Sequence, residues 1–213
     1  MARYFLNIGT DWGNTANWSD TDGGAGGFSV PTAADDVFFT ALSGNCTVNA
    51  SARVCKTLIF TGYANTITMS QNITVSGNVT LVAAMTVAGA GQLWIDATAT
   101  LTSNGKTWPN MLWPRTAGTI TVTLADNWIV GDLNLSVSAG TVTLNSNTLT
   151  TLGDCTVQST SNGCSGTTQV IMAGTGVLST APSSYLRLPL EINTAGTITL
   201  GTWLLKGNDF IIT

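Results

Sequence analysis

Along most of this chain, apolar and polar residues alternate. Ile120, Val122 and Leu124 alternate with Thr119, Thr121 and Thr123, and Leu133, Leu135 and Val137 alternate with Asn134 and Ser136. The pattern starts near residue 46. It returns at Ile67 and Met69, Ile73 and Val75, Val79 and Leu81, Val142 and Leu144, and Ile198 and Leu200. A period of two puts every second side chain on one face of a strand, so these runs predict short strands with one buried face. No stretch has the 3.6-residue period of an amphipathic helix.

The runs also repeat. Thr116–Thr121 returns as Thr194–Thr199, an offset of 78, and a shorter echo, Ala139–Leu144, lies 22 residues after the first copy. A second motif, glycine followed by Asn or Asp and then an apolar strand, begins at Gly77, Gly131, Gly153 and Gly207. A spacing near 22 suits three short strands and three turns, which is one coil of a parallel β-solenoid. Glycine is expected at the corners because a tight turn often needs positive φ. Alternation by itself is equally consistent with an antiparallel β-sandwich; the recurring spacing favours a right-handed parallel β-helix of roughly seven coils. Two segments break the pattern. Gly105–Arg115 holds Trp108-Pro109 and Trp113-Pro114, and Ser183–Ile192 precedes the later repeat. Proline does not belong in a central strand, so both predict wide corners or protruding loops at equivalent heights.

The first forty residues are of another kind. Trp12, Trp18, Phe28, Phe38 and Phe39 sit among turn residues, and four glycines and two aspartates fill the stretch between Trp18 and Phe28. No Gly-Lys-Ser/Thr follows, so the loop is not built for phosphate. Asp20 and Asp22 open like a calcium loop, but its later ligands are missing. The aromatics suit a cap over the open end of a solenoid core, after a flexible hairpin. This divides the chain into a cap or docking region, residues 1–44, and solenoid repeats, residues 45–213. The strand at the end of the sequence, Asn208–Thr213, has no cap, and its edge calls for a partner or further chain.

Arg3-Tyr4-Phe5, Asp11-Trp12, Asn17-Trp18-Ser19, the Gly23–Gly27 run, Val30-Pro31-Thr32 and Asp35-Asp36-Val37-Phe38-Phe39 together resemble an N-terminal signature of phage virion and tail-fibre-like proteins. The likeness covers about the first 60 residues. Repeats such as Gly-Thr-Ile-Thr-Leu carry a weaker likeness through the rest. The resemblance implies a virion-surface or tail-fibre-like part, in a class whose members are often trimeric. It brings no catalytic motif.

Composition narrows the chemistry. Charged residues are 8% of the chain, hydrophobic residues 44%, and the net charge is −4. Thr, Ser, Asn and Gly take the place of charge, as suits stacked strand faces, where like charges would repel. Seven scattered Lys and Arg form no basic patch, so nucleic acid is not an expected partner. No apolar run reaches transmembrane length, and Met1–Asn7 lacks the core of a secretory signal, so no membrane role is expected. Histidine is absent, which excludes Ser-His, Cys-His and His-metal chemistry within these residues. No cofactor and no metal are implied.

Four cysteines form two pairs of equal spacing, Cys46 with Cys55 and Cys155 with Cys164. They are candidates for two loop-closing disulfides, or for buried thiols filling small core positions. Glycan hydrolysis needs two placed carboxylates. Asp35, Asp36, Asp126, Asp132 and Asp154 are available, and Asp132 and Asp154 are expected to stack vertically, each capping its own turn. Of seven tryptophans, Trp108 and Trp113, flanked by prolines, are the candidate exposed contacts to a glycan or a partner. The expected function is non-enzymatic. It is a structural and adhesive subunit of a phage virion appendage or decoration, on the particle surface after assembly in the host cytoplasm. Its partners would be other copies in a homotrimer, other virion proteins and host surface glycan. The alternatives are a polysaccharide-depolymerising tailspike-type enzyme and a bacterial surface adhesin.

Overall fold

The computed structural model describes residues 1–50, 53–115, 118–137, 140–157, 163–180, 186–200 and 210–212. These form an all-β solenoid of about seven turns, with no α-helix among the described residues and a single 3-10 turn at Thr15–Asn17. Eight successive strand triplets line the stack, seven turns from the first to the last. The first four are Asp36–Phe39, Cys46–Val48 and Arg53–Cys55; Thr57–Phe60, Thr66–Met69 and Ile73–Val75; Val79–Thr80, Thr86–Gly89 and Leu93–Ile95; and Ala99–Thr102, Thr107–Trp108 and Leu112–Pro114. The next four are Thr119–Leu124, Trp128–Val130 and Leu133–Asn134; Thr141–Asn145, Thr148–Thr151 and Cys155–Val157; Cys164–Gly166, Gln169–Met172 and Gly176–Thr180; and Leu186–Arg187, Leu190–Ile192 and Ile198–Leu200.

Strands pair in parallel with their counterparts one coil below and above and build three faces, the first and third each a single ladder and the second divided into two. The 22-residue echo is the coil register itself: Thr119 pairs with Thr141, Ile120 with Val142 and Thr121 with Thr143 on the first face. The alternation then fixes which side chains enter the core. Ile120, Val122, Leu124, Val142 and Leu144 are buried, and the threonines between them face out. Burying one such aliphatic side chain is worth about 1.5–3 kcal/mol before entropy is counted. The longer repeats do not mark equivalent places. Thr119–Leu124 lies on the first face and Ile198–Leu200 on the third. Likewise, Gly77 sits at the corner from third face to first, while Gly131 and Gly153 sit at the corner from second to third. Gly207 and Trp203 lie outside the described residues.

Gly77, Gly131 and Gly153 do occupy corners, but positive φ is not the reason, since none of them has it. Close approach of neighbouring coils is. A Cβ on Gly131 would lie 1.9 Å from the Pro109 carbonyl oxygen, and one on Gly77 would lie 2.8 Å from that of Lys56. At Gly153 it would meet the Asp132 carboxylate at 2.3 Å. Positive φ gathers instead at the corner from first face to second, at Gly62, Asn104, Gly105, Ser146, Asn147 and Gly166, and occurs singly at Gly89, at the end of a second-face strand, and at Gly140 and Gly163, each just before a first-face strand. At the corner from first face to second, asparagine amides bond down the stack. Asn65 donates to the Ser43 carbonyl at 2.7 Å, Asn104 to Leu81 at 2.7 Å and Asn147 to Leu124 at 2.6 Å.

The segment around the two Trp-Pro steps does not protrude. Thr107–Trp108 and Leu112–Pro114 are ordinary strands of the fourth coil, and Leu112–Pro114 lies inside the eight-stranded ladder. Pro114 brings no N–H to that ladder. The pairing to the next coil is confined to Leu112 and Leu133, and the Trp113 indole adds a donor across the same seam, to the Ser136 carbonyl at 3.0 Å. The second face does break here, into a three-stranded and a six-stranded ladder. Side chains bridge the break: Lys106 Nζ donates to the Met85 carbonyl, and Asn110 to the Gly91 carbonyl at 2.9 Å. Of the second irregular segment, residues 183–185 lie outside the described residues, while Leu186–Arg187 and Leu190–Ile192 continue the first and second faces. The two segments are therefore not equivalent.

The N-terminal residues close the first coil. Ala2–Phe5 pairs in parallel with Asp36–Phe39, and Trp18–Ser19 adds an antiparallel strand at the end of the ladder. Phe5, Trp12, Trp18, Phe39, Phe60 and Tyr63 are buried in one cluster, which is continuous with the solenoid core. The glycine-rich stretch is pinned rather than a free hairpin. Gly27 N–H donates to the Thr15 carbonyl, Phe28 N–H to Trp18, and the Arg3 guanidinium to the Ser29 carbonyl and hydroxyl. Asp22 accepts the Thr40 hydroxyl at 2.7 Å.

Candidate binding surface

The third face carries a column of outward positions, Val54, Thr74, Trp94, Trp113, Asn134, Thr156 and Ser179, of which Thr74 is buried and the others are partly exposed. Two tryptophans stand one above the other because the ladder puts them in register. Their ring centroids are 5.5 Å apart at 84°, an edge-to-face pair. The Arg115 guanidinium lies 3.9 Å from the Trp94 ring centre and 5.6 Å from that of Trp113. All three residues are partly exposed.

Both indoles are anchored to the scaffold. Trp94 Nε1 donates to Gln92 Oε1 at 2.7 Å, and Trp113 Nε1 donates to the Ser136 carbonyl. The rings are therefore held without help from a ligand. Ion pairs among the described residues are confined to the N-terminal ammonium with Asp35 and Lys56 with Asp36. Arg115 takes part in neither, and its in-plane N–H donors have no hydrogen-bond acceptor among the described residues. Trp113 is partly exposed on the third face, in register with Trp94. Trp94 was missed because strand register, which sequence spacing does not give across a coil of irregular length, brings it to Trp113 and to Arg115 two residues further along.

Trp108 is a correction: it is fully buried. It occupies an inward position in register with Val130, and proline following it does not turn its side chain outward. No protein acceptor meets its indole N–H or that of Trp128 among the described residues.

The cysteines form no disulfide; all four are free and buried. Each faces the core from its strand, so each thiol packs as a small apolar group. Burial pushes the Cys155 and Cys164 thiols up to about 12, with Cys164 and then Asp154 adding at Cys155. Burial, then Asp11, raises Cys46; burial, then Asp36 and Asp96, raises Cys55. Thiols held this way are not nucleophiles at neutral pH.

The candidate carboxylates Asp35, Asp36, Asp126, Asp132 and Asp154 are engaged in holding turns and neighbouring coils. Asp132 and Asp154 stack as their spacing predicts, but each caps the coil above rather than its own turn. Asp132 Oδ1 accepts from the Asp154 N–H at 2.8 Å, and Asp154 Oδ1 accepts from the Val177 N–H at 2.8 Å. Asn72 does the same for Gln92 at the matching corner three coils below Asp132. Asp126 accepts from the Ser103 and Asn104 N–H groups, and Asp35 from the Thr32 N–H and hydroxyl. Glu191 accepts from the Gln169 and Asn193 amides. Among the described residues, no three Cys, Asp or Glu side chains gather into a group that could hold a metal ion.

Compared with protein families, curated proteins and solved structures, the chain matches none. What can be read of its function comes from this surface and from the rod that carries it.

Proposed function

We propose that this chain is a non-enzymatic structural and adhesive part of a phage virion surface appendage or decoration. It is a rigid rod that displays a small contact patch. The observation that carries the reading is the Trp94–Trp113–Arg115 cluster, two anchored aromatics and a cation with no ion pair among the described residues, on the outside of a ladder-bonded solenoid. A neutral hydroxyl and amide exterior supports it, because such a surface meets hydrated polysaccharide without strong repulsion from charge. The N-terminal resemblance supports the virion setting. The engaged carboxylates favour scaffold over depolymerase. Lateral contacts between rods would make a homotrimer, and the aromatic end would dock on other virion proteins.

The test is retention of the purified chain on host cells, with reducing ends assayed in parallel. Retention lost in Trp113→Ala and no release of reducing ends is the expected result. Release of reducing ends would overturn the non-enzymatic reading, and no retention the adhesive one. Native mass by light scattering tests the trimer separately; a clean monomer would remove that assignment.

A further inference from the structure

The patch has a chemistry more specific than adhesion. A guanidinium stacked face-on over an indole keeps its edges free, and those edges carry the donors that match a carboxylate in a two-pronged contact. Arg115 is such a group, 3.9 Å over Trp94 and without an ion pair among the described residues, in a chain of net charge −4. Trp113 stands one step up the same column, with its N–H already used by Ser136, so what it offers a ligand is ring surface. A flat apolar ring beside an unspent planar cation is complementary to a six-membered sugar bearing a carboxylate.

Resting on the adhesive reading above, we propose that Trp94, Trp113 and Arg115 form a subsite for an acidic sugar, a uronic- or sialic-type residue of a surface polysaccharide. The sugar ring lies on Trp113, and its carboxylate meets the edge of Arg115. Trp94 positions Arg115 by holding its face. The indole anchors to Gln92 and Ser136 preorganise the site, so little side-chain freedom is lost on binding. Asp96, exposed and next in register to Arg115, is not ion-paired to it and weakens the local field.

The experiment is calorimetric titration of the full chain with tetragalacturonate, with neutral galactotetraose and with tetraglutamate peptide, repeated at two salt concentrations. Tetragalacturonate is expected to bind on the order of tenfold or more tighter than the neutral sugar, a difference of ~1.4 kcal/mol. Arg115→Gln should erase that preference while leaving the melting temperature unchanged, and Arg115→Lys should keep only part of it. Asp96→Asn should tighten the acidic sugar. Trp113→Phe, which keeps a ring and loses the Ser136 bond, should retain binding, and Trp113→Ala should not. Equal binding of acidic and neutral sugars, no binding of either, or an Arg115→Gln variant with preference intact would each overturn the proposal. Tetraglutamate binding as tightly as tetragalacturonate would overturn its sugar part and identify a protein carboxylate as the ligand. Cells retained without acidic-sugar binding would remove this subsite and leave the adhesive reading standing; acidic-sugar binding without cell retention would do the reverse.

Discussion

The aromatic end and the middle of the solenoid are closed by opposite means. At the N-terminal end, large rings fill an irregular space. Trp18 meets Phe5 at 5.1 Å and Trp12 at 4.9 Å between ring centres, and donates its indole N–H to the Trp12 carbonyl at 2.7 Å. In the fifth to seventh coils, the backbone does the fitting. Glycines let one coil sit on the carbonyls of the coil below, and Asp or Asn side chains bond across the step. A regular stack has a partner for each backbone group one coil away, while its first coil has no full coil below it, only Ala2–Phe5 along its first strand and residues 10–12 at Thr47. Volume closes what periodicity leaves open. Damage to the first region should therefore scale with side-chain volume removed, and damage to the second with atoms added.

The largest effect is expected from Trp18→Ala. Removing a fully buried indole from the end cluster should cost about 3–5 kcal/mol, read from the denaturant midpoint. Gly131→Ala should follow, at about 1–3 kcal/mol for overpacking against the Pro109 carbonyl. Gly105→Ala is its control. Gly105 has φ +76 and nothing within 4 Å of an added Cβ, so that change tests conformation alone and should cost only about 1 kcal/mol. If Gly105→Ala proved the more damaging, the glycines would matter for φ after all, and the contrast between the two regions would lose its backbone half.

That contrast also explains what could be read from the chain. Alternation gave the inward residues, because a strand has only two sides and one of them must be dry. The 22-residue echo gave the coil, because Thr119 and Thr141 are neighbours in the ladder. The offset of 78 did not mark equivalent places, because coil lengths vary and the same short strand grammar serves any face. Trp108 and Trp113 look alike in sequence, each before a proline. Which of them turns inward is set by register with Val130 in one case and Trp94 in the other. Equal cysteine spacings left disulfides and buried core thiols both open, and the second holds: the thiols occupy inward positions where core packing sets their contacts.

A smaller effect sets the regions against each other through acid. Burial alone would raise the Asp35 carboxyl. The Thr32 hydroxyl and N–H, the N-terminal ammonium and Arg3 outweigh it and hold the group below the ordinary value of 3.8. A carboxylate lowered on folding contributes stability above its unfolded value, and that contribution is lost as pH falls through the folded one. Stability should therefore drop as pH falls below about 4, and Asp35→Asn should flatten that part of the curve. Asp154→Ala should cost about 1 kcal/mol through the lost cap on Val177, while Asp154→Asn, which keeps an acceptor oxygen, should cost less.

The smallest change is the sharpest, because it puts an aromatic from the solenoid to the test applied at the end. Trp128 is fully buried, and its indole N–H meets no protein acceptor among the described residues. Trp128→Phe removes an unsatisfied donor, worth about 1–3 kcal/mol, and removes ring volume whose loss costs a similar amount. The two should nearly cancel, leaving the melting temperature within a few degrees. Trp18→Phe removes the same atoms but also a made hydrogen bond to Trp12, so it should be clearly destabilising. Equal losses at both positions would mean that ring volume alone governs each region, and that the stack is closed in its middle as it is at its end.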